Sequence, residues 1–152
     1  RVFIVEDATT RSSSNFTLTV KTVSGTGLAL PIGSTTVLYS DGTNITGKLQ
    51  TKGYYTPSTT YTTVNGDQIL VDTSGSGIGT AITINLPASP AIGNEVTFID
   101  SGNNLASNNL TVGRNGSNIN GSASNLVVSA NASAFTLVYA NASRGWVFKD
   151  KI

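Results

Sequence analysis

The 152-residue chain contains no cysteine, no histidine and no methionine. The lack of cysteine excludes disulfides, thiolate metal ligands and thiol nucleophiles. The lack of histidine removes the commonest general base and metal ligand. Charged residues make up 11% of the chain, and the formal net charge is +1. Because binding to nucleic acid by counterion release needs clustered lysine and arginine, we expect no nucleic-acid partner.

Long apolar runs and targeting segments are also missing. No stretch approaches the length that spans a bilayer and no signal peptide is visible, so we expect no membrane insertion. The glycine-rich run at residues 74–79 superficially resembles a phosphate loop. A strand pattern follows it instead of a helix, and we therefore expect no cofactor. The chain opens at Arg1 without a methionine, which favours a piece of a longer polypeptide.

Threonine, serine and asparagine together exceed a third of the residues, and valine, isoleucine and tyrosine recur among them in short runs. Apolar and polar residues alternate within these runs, and glycine, asparagine, aspartate and serine separate them, which is typical of half-buried strands joined by turns. No window carries a sustained helical period. The pattern predicts an all-β fold with strands at residues 2–6, 16–22, 35–39, 68–72, 81–86, 95–100, 109–112, 125–129, 135–139 and 145–148.

The strand-like runs occur twice in the same order. Residues 2–7, 15–20 and 36–42 are matched by residues 96–100, 109–112 and 136–141, with Tyr39 aligned to Tyr139 and Asp41 to Asn141. The second copy has two further strand-like runs before it, so the first copy is interpreted as incomplete. We predict two tandem small β-sandwich or barrel-like modules: the end of a first module at residues 1–48, a linker at 49–66 and a second module at 67–152. Modules with thin cores gain stability in an oligomer.

Three dipeptides, Asp41-Gly42, Asn65-Gly66 and Asn115-Gly116, are typical of type I′ hairpin turns. The oxygen-rich residues 100–104 are interpreted as a turn rather than a calcium site, because calcium usually needs more than one carboxylate.

Two carboxylates could form a glycosidase pair. However, Asp7 and Asp100 occupy equivalent strand ends in the two copies, as turn and capping residues do. We predict no catalytic residue and no metal site.

The candidate recognition residues are taken from the features that the two copies do not share. The predicted linker holds three of the five tyrosines, the second copy has a longer asparagine-rich loop, and the single tryptophan lies in a terminal strand. Each has a plainer structural interpretation, as a packing ring, a turn residue or a core anchor. The candidates for receptor or subunit contact are Tyr54, Tyr55, Tyr61, Asn115, Asn118, Asn120 and Trp146.

The residues that carry a family resemblance lie in both copies. They are at 16–22, 25–27, 31–33 and 37–44 in the first, and at 84–87, 91–96, Asp100, 110–112, 119–121, 137–139 and 145–146 in the second. These segments resemble repeat modules of virion structural proteins of tailed bacteriophages, marine and cyanobacterial ones in particular. The resemblance transfers no catalytic or binding residue.

The resemblance implies a virion location, outside the host cell, in a homotrimeric tail fibre or related appendage. Its expected partners are further copies of itself, other virion proteins and a host-surface glycan. The alternative is a capsid decoration or head-fibre protein. A polysaccharide-degrading tailspike domain is a third hypothesis, disfavoured by the short chain and by the repeat-equivalent carboxylates.

Overall fold

The computed structural model describes residues 2–6, 18–30, 35–51 and 53–150. Every regular element in these ranges is a β-strand, and no helix among them is long and apolar enough to cross a membrane. The strands are β1 (Val2–Glu6), β2 (Thr19–Val20), β3 (Leu28–Ala29), β4 (Thr35–Ser40), β5 (Ile45–Thr51), β6 (Tyr54–Tyr55), β7 (Tyr61–Thr62), β8 (Gln68–Val71), β9 (Ile82–Asn85), β10 (Glu95–Asp100), β11 (Leu110–Gly113), β12 (Leu126–Val128), β13 (Ala134–Asn141) and β14 (Gly145–Phe148). The predicted all-β, sandwich-like fold is confirmed.

Strands β6 to β14 form the C-terminal unit, which has two sheets of order β14-β13-β10-β8-β6 and β12-β11-β9-β7. Successive strands from β6 to β11 alternate between the sheets, and each pairs in parallel with the strand two positions along the chain. Each pair of successive strands is therefore one turn of a short parallel coil. Strands β12, β13 and β14 then pair antiparallel and end both sheets.

The core of the C-terminal unit follows from strict alternation along its strands. Buried and half-buried residues alternate in β8, β9 and β10, so each strand gives one row of side chains to the interior. The rows meet in one cluster: Tyr61, Ile69, Val71, Ile82, Ile84, Leu86, Val96, Phe98, Leu105, Leu110, Val112, Ile119, Leu137 and Trp146. The apolar face of a parallel sheet must be covered, and because the described elements are all strands, each sheet here is covered by the other.

Strands β1 to β5 form the N-terminal unit, with sheets of order β1-β4-β5 and β2-β3. Strand β4 buries Thr36 and Leu38 and leaves Tyr39 half exposed, which sets one inner and one outer face. Leu30, next to β3, is fully buried.

The two units share one pairing order. Strand β1 pairs with β4, β4 with β5, and β2 with β3, all antiparallel. In the C-terminal unit β10 pairs with β13, β13 with β14, and β11 with β12, also antiparallel. Strands β1 to β5 therefore correspond to β10 to β14. The sequence repeat predicts three of these matches, β1 with β10, β2 with β11 and β4 with β13.

The pairing registers correct the predicted alignment of the two tyrosines. Leu38 pairs with Phe3 and Leu137 pairs with Val96, and both leucines are fully buried. Tyr39 therefore corresponds to Val138 and not to Tyr139. A slip of one residue moves a side chain to the other face of a sheet, and Tyr39 indeed lies on the outer face with 50% of its surface exposed.

Each predicted strand overlaps an observed one, although residues 16 and 17 lie outside the described residues. The prediction did not include β3, β5, β6 or β7. Residues 49–66, predicted as a linker, contain the end of β5 and all of β6 and β7, and the latter two pair with β8 and β9. The boundaries of the two modules stay a prediction.

Of the three predicted hairpin turns, Asn65-Gly66 is not one, because it joins β7 to β8 in different sheets. Asp41-Gly42 does close the β4–β5 hairpin, but only the glycine has a positive φ there, so the turn is not type I′.

Candidate recognition surfaces

The asparagine-rich loop after β11 packs against the turn between β13 and β14. The backbone N–H of Asn120 donates to the carbonyl of Trp146 at 2.7 Å, and that of Trp146 donates to the carbonyl of Asn118 at 2.9 Å. The Nδ2 of Asn118 also donates to the carbonyl of Ser143, at 3.0 Å. Three of the predicted recognition residues, Asn118, Asn120 and Trp146, are thus brought together, through their backbones.

Asparagine suits this loop because two of its tight turns need left-handed backbone. Asn115 and Asn120 have φ of 45° and 51°, and the glycines after them are also positive. The first turn is closed by Ser117 donating to the carbonyl of Arg114 at 3.1 Å. Asparagine tolerates this region better than other side-chain-bearing residues. Asn115 and Asn120 are exposed, while the Nδ2 of Asn115 donates to the carbonyl of Leu86 at 2.8 Å.

Gly145 lets the two loops approach each other. Its φ is +68°, and a Cβ at this position would lie 1.8 Å from the carbonyl oxygen of Asn118. Only glycine fits so close an approach. Beside it, Trp146 is fully buried, and its ring meets that of Tyr139 edge to face, with centroids 5.6 Å apart. The Trp146 side chain therefore anchors the loops from inside the core and offers no surface for a receptor.

The three tyrosines of residues 54–61 differ in exposure. Tyr54 is 57% exposed, Tyr55 is half-buried, and Tyr61 is 2% exposed. The rings of Tyr55 and Tyr61 meet edge to face at 5.0 Å. The hydroxyl of Tyr61 donates to Oδ2 of Asp67 at 2.9 Å, which ties β7 to the start of β8.

The exposed candidates Tyr54 and Asn120 do not form one site. Tyr54 lies on β6, and Asn120 is hydrogen-bonded to Trp146 on β14. Strands β6 and β14 are the two edge strands of the same five-stranded sheet. With neighbouring strands about 4.8 Å apart, the two edges are roughly 19 Å from each other. The asparagine-rich loop and Tyr54 are therefore separate surfaces.

The sequence did not indicate a groove at the end of the C-terminal unit. It has a volume of about 400 Å³ and is lined in part by Asn131, Ser133, Phe135, Phe148 and Asp150. The rings of Phe135 and Phe148 lie edge to face at 5.5 Å. Apolar ring surface beside amide, hydroxyl and carboxylate groups is a composition typical of small-molecule sites.

The N-terminal unit has a cleft of about 490 Å³ between its sheets, lined in part by Val5, Val20, Leu38, Ser40 and Ile45. The pairing registers explain why space is left here. The positions of Val5, Thr36, Ser40 and Ile45 correspond to Phe98, Phe135, Tyr139 and Trp146 of the C-terminal unit. Four aromatic rings of one unit are replaced by smaller side chains in the other.

On the outer faces it is the N-terminal unit that has the more apolar side chains. Ile4 is 74% exposed and pairs with Val37, whereas the corresponding Thr97 and Thr136 share a hydrogen bond between hydroxyls at 2.9 Å. The N-terminal unit therefore carries apolar side chains outside where the C-terminal unit carries hydroxyls.

An ion pair also lies on the C-terminal unit. Lys149 Nζ donates to both oxygens of Glu95, at 2.9 and 3.1 Å. The hydrogen bond and charge of Glu95 raise the pKa of Lys149. The pair joins the start of β10 to the end of β14 at the surface, where its contribution to stability is small.

Two of the carboxylates, Asp72 and Asp100, accept hydrogen bonds from turns. Asp72 Oδ1 accepts from the N–H and the hydroxyl of Ser74, and Asp100 Oδ2 accepts from the N–H of Ala132 at 3.0 Å. Asp7, the predicted counterpart of Asp100, lies outside the described residues. Within residues 2–6, 18–30, 35–51 and 53–150, no group of three or more acidic residues could hold a metal ion.

No protein-family model matches the chain, and no curated protein matches it. Among solved structures, one described as "Structure of a chaperone-substrate complex" is similar over 84% of this chain, with a TM-score of 0.47 and 15% sequence identity. The chain spans 23% of the length of that structure. A likeness at this TM-score carries no argument about function.

Proposed function

We propose that this chain is a structural segment of a tailed-bacteriophage appendage of the tail-fibre type, and that it contributes to attachment to host-surface glycans. The observation that carries the proposal is the strand-pairing order, which occurs twice along the chain, the second time continuous with a stack of parallel coils. Repeated β units joined in series suit an elongated, load-bearing element better than a single reaction centre.

The surface chemistry supports the same proposal. Few residues are charged, and the exposed loops present amides and hydroxyls, which bind sugars through hydrogen bonds. The carboxylates of Asp72 and Asp100 accept hydrogen bonds from turns, which favours a structural role over a catalytic one. The exposed Ile4 and Tyr39 on the outer face of the N-terminal unit support an oligomer, because large apolar side chains exposed together mark contact surfaces. A homotrimer is the proposed state.

Location is tested by labelling virions with an antibody against this chain and imaging them by electron microscopy. Label on a tail appendage is the expected result. Label on the capsid would favour a decoration protein and contradict the proposal.

Oligomeric state is tested by analytical ultracentrifugation of the whole chain and of the double variant Ile4→Thr, Tyr39→Thr. The wild type is expected as a trimer and the variant as a weaker one. The matched control Val127→Thr removes a similarly exposed apolar residue (56% exposed) of the C-terminal unit and should change nothing. A monomeric wild type would contradict the trimer.

Glycan attachment is tested on an array of host-surface polysaccharides. Asn120→Gly keeps the left-handed turn while removing the exposed amide. Weaker glycan binding without loss of stability would show that the asparagine-rich loop binds the glycan. Phe148→Leu tests the groove in the same assay. Release of reducing sugar that is lost in Asp72→Asn or Asp100→Asn would instead indicate a glycan-degrading enzyme.

A further inference from the structure

The open edges of β1 and β2 differ from the corresponding edges of the C-terminal unit. Strand β10 pairs antiparallel with β13 on one side and parallel with β8 on the other. Strand β11 pairs likewise with β12 and β9. Strands β1 and β2, which correspond to β10 and β11, pair only with β4 and β3 among the described residues. The edges that take β8 and β9 in one unit are thus open, within the described part of the chain, in the other.

Strand β1 has few of the features that protect an edge, and its one charged residue, Glu6, is its last. Edge strands are usually blunted by lysine, proline, a bulge or short length. Strand β1 has neither lysine nor proline, and its register with β4 runs without a shift from Val2 to Glu6. An extended apolar edge of this kind is a template for pairing with another strand.

The burial of corresponding side chains shows what is missing beside these edges. Phe98 is 1% exposed beside Ile69, and Val112 is fully buried beside Ile84. Their counterparts, Val5 and Val20, are only half-buried and line the 490 Å³ cleft. The cleft therefore opens on the side where Ile69 and Ile84 close the C-terminal unit.

We propose that the open edges of β1 and β2 together bind a two-strand parallel coil of the β8–β9 type. The occupant is an extended segment that runs parallel to β1, crosses to the second sheet and runs parallel to β2. It carries aliphatic residues at alternate positions, which point into the cleft against Val5 and Val20 as Ile69 and Ile84 do against Phe98 and Val112. Main-chain hydrogen bonds to the two edges hold the added strands, and the aliphatic side chains at alternate positions determine which segment fits the cleft.

The test adds such a coil to the whole chain. A second copy of residues 66–93 is fused directly before Arg1. Because Val2 corresponds to Glu95 in the pairing registers, this fusion keeps the natural spacing from β9 to the next strand. Hydrogen exchange with mass spectrometry then reports protection in β1 and β2. We expect exchange in peptides covering residues 2–6 and 18–22 to slow at least tenfold, while β8 to β14 of the original unit stay unchanged.

The matched control is the same fusion with I69D and I84D in the added copy only. It has the same length but cannot bury its aliphatic rows, and we expect it to leave the exchange of β1 and β2 at the wild-type rate. No slowing in the first fusion, with the C-terminal unit still protected, would overturn the proposal, as would equal slowing in both fusions. The outcome is independent of where the protein lies on a virion, so it does not depend on the proposed function.

Discussion

The N-terminal and C-terminal units pair their strands in the same order and bury different kinds of side chain. The C-terminal unit places Phe98, Phe135, Tyr139 and Trp146 inside and the Thr97–Thr136 hydroxyl pair outside. The N-terminal unit has smaller side chains at the four inner positions and Ile4 and Val37 at the outer pair. The comparison teaches that two units can share one strand-pairing order while a few residues determine how tightly each interior is packed.

The largest effect is expected from removing the tryptophan. Trp146→Ala should destabilise the C-terminal unit by about 3–5 kcal/mol, because a fully buried ring is replaced by a cavity. The matched substitution in the other unit, Ile45→Ala, should cost less, since Ile45 is half-buried at an open cleft. Urea unfolding followed by hydrogen exchange of each unit measures both. Equal costs would show that the two interiors are not packed differently.

A turn that only the C-terminal unit has gives the next effect. Asn120→Ala should cost about 1–2 kcal/mol, because its φ of 51° disfavours a residue with a Cβ that cannot hydrogen-bond locally. Asn120→Gly is the control and should be close to neutral. Thermal unfolding of the wild type and the two variants measures these differences. An alanine variant as stable as the wild type would show that the turn does not require asparagine or glycine at position 120.

Filling the cleft should make the N-terminal unit more like its counterpart. Val5→Phe introduces the residue that Phe98 provides in the C-terminal unit, and we expect a gain of about 0.5–2 kcal/mol from burial of the ring. Slower amide exchange in β1, β4 and β5 is the measurement. Faster exchange there would indicate that the cleft does not accept a ring.

The smallest effect is a pH dependence confined to one hairpin. The backbone N–H groups of Asn44 and Thr43 hold the pKa of Asp41 below its usual 3.8. A lowered folded-state pKa means that its contribution is present above pH 3.8 and is lost as the pH falls through the folded-state value. Asn141 accepts from the N–H of Arg144 in the other hairpin and does not titrate.

Comparison of the wild type with Asp41→Asn measures this term. On acidification the β4–β5 hairpin of the wild type should lose more protection from hydrogen exchange than that of the variant, and the β13–β14 hairpin should behave alike in both. An identical acid response in both proteins would contradict a role for the Asp41 carboxylate.

The strands of both units were readable from the sequence because alternation is strong in β4, β9 and β10. Strands β6 and β7 were not predicted, since two-residue strands carry no period, and their parallel pairing with β8 and β9 is a long-range property. A sequence pattern does not report which strands become neighbours in a sheet.

The match of Tyr39 to Tyr139 failed for a related reason. The local sequences are alike, but residues 140–145 separate the paired Tyr139 and Trp146, whereas only residues 41–44 separate the corresponding pair, Ser40 and Ile45. Sequence similarity alone does not place this difference in length. Among the recognition candidates, Trp146 and Tyr61 are tied into the core. Asn120 is predicted as a contact residue from its place in the asparagine-rich loop, but its packing against Trp146 depends on the fold.

The common register of the two units is tested most directly by engineered disulfides. Because the chain has no cysteine, two introduced cysteines can pair only with each other within one chain. Cross-strand partners lie within disulfide range, whereas neighbours one residue along point to opposite faces. Two pairs, Ile4→Cys with Val37→Cys and Thr97→Cys with Thr136→Cys, should both crosslink on mild oxidation. The slipped pair Ile4→Cys with Leu38→Cys should not. Efficient crosslinking of the slipped pair, with none between positions 4 and 37, would contradict the shared register.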